Sequence, residues 1–284
     1  MKKPLILSSA LALVIGAAAC EEPSHPPLGG VAITTSAPTI EGDFTTVDGW
    51  NVKYSRFIVN VSAITIAGYD GVITASATSQ LVDQTQPPTK LLLTSANRIA
   101  RAWEDVSFEI GPTTAETEPL EPVTEVDRDT LAVSRASIFV EGTMTRGNDV
   151  KSFRWSLSPR TRYSACSARV NGATLPGLLV PENGADTGDI LMDGTVLFFD
   201  NLATRGHVLR GDPIAAADLN KDGVVQLTEL ANVPLDEARK STGLYGPIAG
   251  VDDLAAFLNA QARSIVVSFR GEGDCRITPV DEAP

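Results

Sequence analysis

The sequence predicts an α+β protein: an N-terminal antiparallel β-sandwich over residues 43–180, then a mostly helical segment over 181–284 that carries one acidic twelve-residue loop. Three observations lead there. Between Phe44 and Ser167 lie about six short β-branched runs, with turn residues at intervals of about ten. Arg169–Asp189 is rich in glycine and proline, and beyond it the apolar spacing shifts from two towards three and four. Asp218–Glu229, read DLNKDGVVQLTE, sets oxygen-bearing side chains at alternate positions ahead of a glycine.

Residues 1–19 read as a signal peptide. Lys2 and Lys3 give the positive start, and Leu5–Ala18 an apolar run too short for a permanent span. Ala17-Ala18-Ala19-Cys20 resembles the lipobox of bacterial exported lipoproteins. That resemblance implies lipid on Cys20 and attachment to a membrane through an N-terminal anchor. Ala17 stands where leucine is commonest, and Ala17 with Ala19 also suits an ordinary signal peptidase. The cysteine count favours the anchor: with Cys20 lipidated, Cys166 and Cys275 remain as an even pair for a disulfide in an oxidising compartment. Closing a loop of roughly 110 residues would stabilise the fold by about 4–5 kcal/mol in the chain-entropy treatment. Residues 20–42, rich in Pro, Ser, Thr and Gly, read as a flexible tether that includes His25.

The sandwich is expected to begin with Val52–Ile66, whose alternation slips near Ser55–Phe57 and so calls for a bulge. Tyr69-Asp70-Gly71 turns into a weaker pair over Val72–Val82. Lys90–Thr94 is a short buried strand, and Val106, Phe108 and Ile110 alternate up to Gly111-Pro112. Gly111–Asp129 reads as a long acidic loop. The clearest hairpin is Ile138–Thr145 returning as Val150–Leu157 around Gly147. Phe153, Trp155 and Leu157 share one face of it, and Lys151 breaks that series at its start. Leu91–Pro112 (LLLTSANRIARAWEDVSFEIGP) resembles the second half of β-sandwich domains in exported bacterial lipoproteins, including relatives of methanobactin-associated copper-binding proteins. The resemblance implies metal handling. This chain has two histidines, His25 and His207, and so lacks the ligands a copper role would want.

In the later part, Val196, Phe199 and Leu202 suit a short helix, with a strand over Val196–Phe199 as the runner-up. Asp212-Pro213 opens a helix of little more than one turn. Leu227–Asn232 can be helical until Pro234, with a second start at Leu235–Lys240. A last helix is expected from about Asp252, along Leu254, Phe257, Leu258, Gln261, Ala262, Ile265 and Phe269, with a closing strand over Ser264–Phe269 as the alternative.

The acidic loop resembles an EF-hand calcium loop at every position that such a loop specifies. Asp218, Asn220 and Asp222 hold positions one, three and five, and Gly223 takes the sharp turn at six. Val224 offers a backbone carbonyl, Gln226 a water-mediated contact, and Glu229 the closing bidentate carboxylate. Proline truncates the flanking helices and no second loop is found, so the unit is EF-hand-like and the expected cofactor is Ca2+.

A net charge of −12 argues against nucleic acid as a partner. No GxSxG, HExxH or phosphate-binding glycine loop occurs. The whole chain resembles exported lipoproteins of bacteria with complex envelopes that carry a solitary EF-hand-type loop. The expected function is therefore that of a calcium-binding envelope lipoprotein at the outer membrane or in the periplasm, its bound Ca2+ structural or supporting the binding of an envelope protein or glycan. The alternative is a carboxylate-based hydrolase of envelope polysaccharide, with paired acids beside Trp50, Trp103 or Trp155.

Overall fold

The computed structural model describes residues 26–38, 43–76, 78–86, 89–202, 206–235, 245 and 250–280. The signal peptide, Cys20 and His25 lie outside the described residues, as does the second helix start apart from Leu235. The principal strands are β1 (Leu28–Ser36), β2 (Asn51–Ala67), β3 (Lys90–Ile99), β4 (Asp105–Ile110), β5 (Ile138–Arg146), β6 (Asp149–Leu157), β7 (Thr161–Ser164), β8 (Ala185–Met192), β9 (Val224–Gln226), β10 (Val266–Phe269) and β11 (Arg276–Pro279). Among the described residues four α-helices accompany them: α1 (Glu125–Ser134), α2 (Asp212–Ala215), α3 (Leu227–Leu230) and α4 (Leu254–Gln261).

One sheet runs β10-β8-β1-β3, and the larger one β9-β6-β5-β2-β4-β7-β11. Both close on a single apolar cluster. β1 contributes Val31 and Ile33, β8 Ile190 and Met192, and the larger sheet Val59, Val140, Phe108 and Trp155. Period-two alternation puts these side chains on the inner faces. Phe57–Val61 is buried without interruption, because on the opposite face Leu131 of α1 packs with Ile58 and the Gly111 and Pro112 carbonyls accept from the Asn60 side-chain amide. Ile58, Leu81, Phe139 and Leu131 form that second, smaller cluster.

The hairpin of β5 and β6 pairs from Ile138–Leu157 to Arg146–Asp149 as expected. The slip in β2 is also present: opposite Glu141 and Gly142 the register jumps from Arg56 to Tyr54, leaving Ser55 as the extra residue.

The mostly helical C-terminal segment is corrected: the described protein is mostly β, and its late part interleaves strands with short helices. β8, β9, β10 and β11 all lie beyond Val180, while α2 and α3 have four residues each and α4 eight. β8 runs parallel to β1, β9 runs parallel to β6, and β11 pairs antiparallel with β7. β8, β9 and β11 thus each find a partner in the early half, and β10 adds to the outer edge of β8. Such pairing is invisible to a local reading, and a short apolar run does not by itself distinguish strand from helix. The last helix is corrected too. Asp253 caps α4 by accepting from the Ala256 amide, the helix gives way at Ala262–Ser264 to a tight turn, and Val266–Phe269 leaves as β10 on β8. The β-branched pair Val266–Val267 suits a pleated edge better than a helix. Val196 stands in a short 3-10 helix, Gly194–Phe198. Leu28–Ser36, expected within the tether, is the strand β1 between β8 and β3.

Candidate functional site

The acidic loop leaves α2 at Asp218, runs through β9 and closes inside α3. Its entry is fixed from outside. Asp48 accepts hydrogen bonds from the Gly211 and Asp212 amides, two donors that begin α2 and have no partner within the helix. The Trp50 indole donates to Asp212 Oδ1 at 2.9 Å, with the Arg146 guanidinium over the Trp50 ring. Its exit is fixed by α3 itself. Glu229, at the third helical position, accepts from the Gln226 amide at 3.0 Å, one half of a reciprocal cap.

Within the loop the local sequence dictates the turn. Asp218 Oδ1 accepts from the Asp222 amide and Oδ2 from the Gly223 amide, both at 3.1 Å. Asn220 Oδ1 accepts from the Asp222 amide at 2.9 Å, and Asp222 Oδ1 from the Val224 amide at 2.8 Å. Gly223 has φ +82°, the left-handed region that glycine enters without strain. Asn220, Asp222 and Gln226 are exposed, while Asp218 and Glu229 are 6% and 8% exposed.

β9 completes the arrangement. Ser152, Phe153 and Arg154 of β6 stand in parallel register with Val224, Val225 and Gln226. The Ser152 amide donates to the Gly223 carbonyl at 2.8 Å and the Trp155 indole to the Val225 carbonyl at 2.9 Å. Val225, fully buried, lies where a paired loop would make its short bridge. Strand β6 is the partner of that segment in this fold.

The six predicted loop residues are spread along this turn, β9 and the start of α3. A seventh residue, absent from the predicted set, stands beside them: Lys151 of β6, whose Nζ is 2.7 Å from Asp218 Oδ2 and 3.7 Å from Asp149 Oδ1. The Lys151 ammonium beside Asp218 holds that carboxyl below its usual range, and Asp218 in turn raises the lysine. The signal was the break in the Phe153, Trp155, Leu157 face. Lys151 occupies the same phase and spends it on Asp218.

The donor set is chemically suited to a hard divalent cation: carboxylates, an amide oxygen and a backbone carbonyl, with no sulfur or imidazole. The side chains are not gathered on one centre, however, since no group of three or more His, Cys, Asp or Glu is placed to hold a metal among the described residues. Of the loop's three acids, Glu229 is the one that is buried without a basic partner among the described residues. The residue is 8% exposed and its carboxylate is held by the amides of Gln226 and Asn220. Buried charges are ordinarily paired or bound to metal.

The disulfide Cys166–Cys275 is formed. His207 stacks on Phe199 with ring centres 3.6 Å apart. Trp50, Trp103 and Trp155 are each buried to within 1%. A hollow of about 320 Å³ borders the loop on the outer face of the sheet, lined in part by Lys53, Glu141, Arg154 and Val224, with Glu141 its one acid. Among the described residues no helix is long and apolar enough to cross a membrane.

No protein-family model matches the chain, and no curated protein matches it. Among solved structures, it is similar to MbnP from Methylosinus trichosporium at 12% identity and a TM-score of 0.30, over 60% of this chain and 77% of that one. This is a weak likeness of the kind that Leu91–Pro112 suggested, and at that score it carries no argument about what this chain binds or does.

Proposed function

We propose that this protein is a calcium-binding lipoprotein of the bacterial envelope, in which Ca2+ at Asp218–Glu229 fastens the late half of the chain to the large sheet. The observation that carries the reading is the buried carboxylate of Glu229, held by two amides and matched by no basic side chain among the described residues, at the closing position of a loop with the predicted turn. Asp218, Asn220 and Asp222 would join it with their side-chain oxygens, Val224 with its carbonyl, and Gln226 through water. The role is structural. α2 and α3 have four residues each, too short to act as a helix pair that opens, and β9 is paired with β6 of the same chain. Three ligand carboxylates without a paired loop suit an affinity on the order of 10⁻⁴–10⁻³ M, that of extracellular modules. Cys20 would carry the lipid that keeps the protein in the exported compartment, at the outer membrane or in the periplasm.

The test is thermal unfolding of the disulfide-intact protein with and without about 10 mM CaCl2. At ten- to a hundredfold over Kd, linkage gives about 1.4–2.7 kcal/mol of stabilisation. For a chain of this size that is a rise of roughly 3–10 °C in Tm. Glu229→Gln, which keeps an oxygen for the Gln226 amide and removes the charge, is expected to lose the rise. Equal shifts in variant and wild type would show that calcium acts elsewhere.

A further inference from the structure

Lys151 is charged, and it lies on the first ligand of the loop. Its side chain is 18% exposed and that of Asp218 is 1% exposed, so the pair is withdrawn from water. Asp218 Oδ2 already accepts from the Gly223 amide at 3.1 Å, and the ammonium at 2.7 Å fills its remaining acceptor site. Lys151 also has somewhere else to go. Asp149, on the same strand, offers Oδ1 at 3.7 Å from the same Nζ, and its side chain is half exposed. The ammonium thus stands between a buried carboxylate and a solvated one.

Resting on the reading of this loop as a calcium site, we infer that Lys151 is its resident cation, holding Asp218 in the metal-free protein and competing with Ca2+ for the same carboxylate. Two consequences follow from the charges. Without metal, the lysine relieves a carboxylate that burial would otherwise leave without a counter-charge, so the loop keeps its turn when calcium is absent. With metal, the ammonium either remains and repels the divalent ion or moves towards Asp149. In both cases it weakens binding, on the order of tenfold or more: that is the repulsion of a unit and a double charge about 5 Å apart at the dielectric of water, and this buried pair is less screened. Lys151 therefore sets the calcium concentration at which the loop fills.

Calorimetric titration with CaCl2 and thermal unfolding of wild type, Lys151→Met, Lys151→Gln and Lys151→Arg test this. The two neutral variants are expected to melt lower than wild type without calcium and to bind calcium about tenfold more tightly. Lys151→Arg, which keeps the charge, is expected to stay near the wild-type affinity. A neutral variant that folds only when calcium is present supports the inference, as does one that binds where wild type does not. Wild-type binding with affinity unchanged or weaker in both neutral variants overturns the role of Lys151 and leaves the calcium loop standing. Absence of binding in wild type and all three variants overturns both.

Discussion

Asp127 and Arg56 show how a single side chain serves two elements. Asp127 accepts from the Thr124 amide and hydroxyl at the start of α1, and its Oδ2 is 2.7 Å from Arg56 Nη2 on β2. Each side chain is less than a third exposed, so solvent screens the pair only in part. The Arg56 guanidinium holds the Asp127 carboxyl well below the usual carboxylate range. A carboxyl depressed in the folded state contributes in full above its unfolded value, about 3.9, and the contribution is lost as pH falls through the folded value. Asp127→Asn is therefore expected to lose about 1–2 kcal/mol at pH 7, the worth of a charge-assisted bond. The gap from wild type should narrow as urea titrations move from pH 5 towards pH 2. A gap constant with pH would assign the effect to the cap alone. Residues of this kind were only half legible in the sequence. Thr124 and Asp127 have the spacing of a capping box, yet Val126 and Val133 of α1 are 74% and 90% exposed. With its valines facing water and Leu131 as its buried apolar anchor, α1 shows no apolar stripe, and its first half reads as the end of the acidic loop Gly111–Asp129. Lys151 was legible as an exception to a pattern, but its reason lay some seventy residues on, at Asp218.

At the scale of the elements, β2 is the strand on which the larger sheet depends, and its bulge at Ser55 is held by one glycine. A Cβ on Gly142 of β5 would stand 2.3 Å from the Lys53 carbonyl and 2.6 Å from the Phe153 ring. The first contact is backbone, so relief requires β2 and β5 to part where the register shifts. Gly142→Ala is expected to cost about 1–3 kcal/mol, the range for overpacking a close-packed interior. Amide exchange should quicken first in β2 and β5 around Tyr54 and Glu141, and unchanged protection there would show that the strands absorb the methyl by a small slide. Elements built from local signals were the ones the sequence displayed: the β5–β6 hairpin, the slip in β2, and the loop with its glycine at position six. What escaped were β1 and β8. β1 sits among prolines and glycines, β8 follows a glycine-rich turn, and the two lie parallel side by side with their apolar residues in the core shared with the larger sheet. A parallel pair so distant along the chain leaves no turn between its strands to announce it.

Over the whole molecule, the late half is fastened to the early half at separate places: β8 on β1, β9 with the acidic loop on β6, and β11 on β7 beside the Cys166–Cys275 bridge. The bridge encloses 109 residues of separation, and the loop lies within that ring while Lys151 and β6 lie outside it. Calcium at Asp218–Glu229 would therefore pin the ring to the sheet at a point the disulfide does not reach. The two fastenings share no residue. Their contributions should then add to within about 0.5 kcal/mol, as those of independent sites do. Replacing both cysteines by alanine is expected to lower stability by about 4–5 kcal/mol through the freed unfolded chain. That is roughly 10–20 °C in Tm for a chain of this size. The increment from calcium should survive in the double variant, measured as the difference in urea midpoint with and without CaCl2 at equal slope. Loss of that increment together with the bridge would mean that the loop keeps its turn only in a ring already closed, and the calcium fastening would then be secondary to the disulfide rather than independent of it.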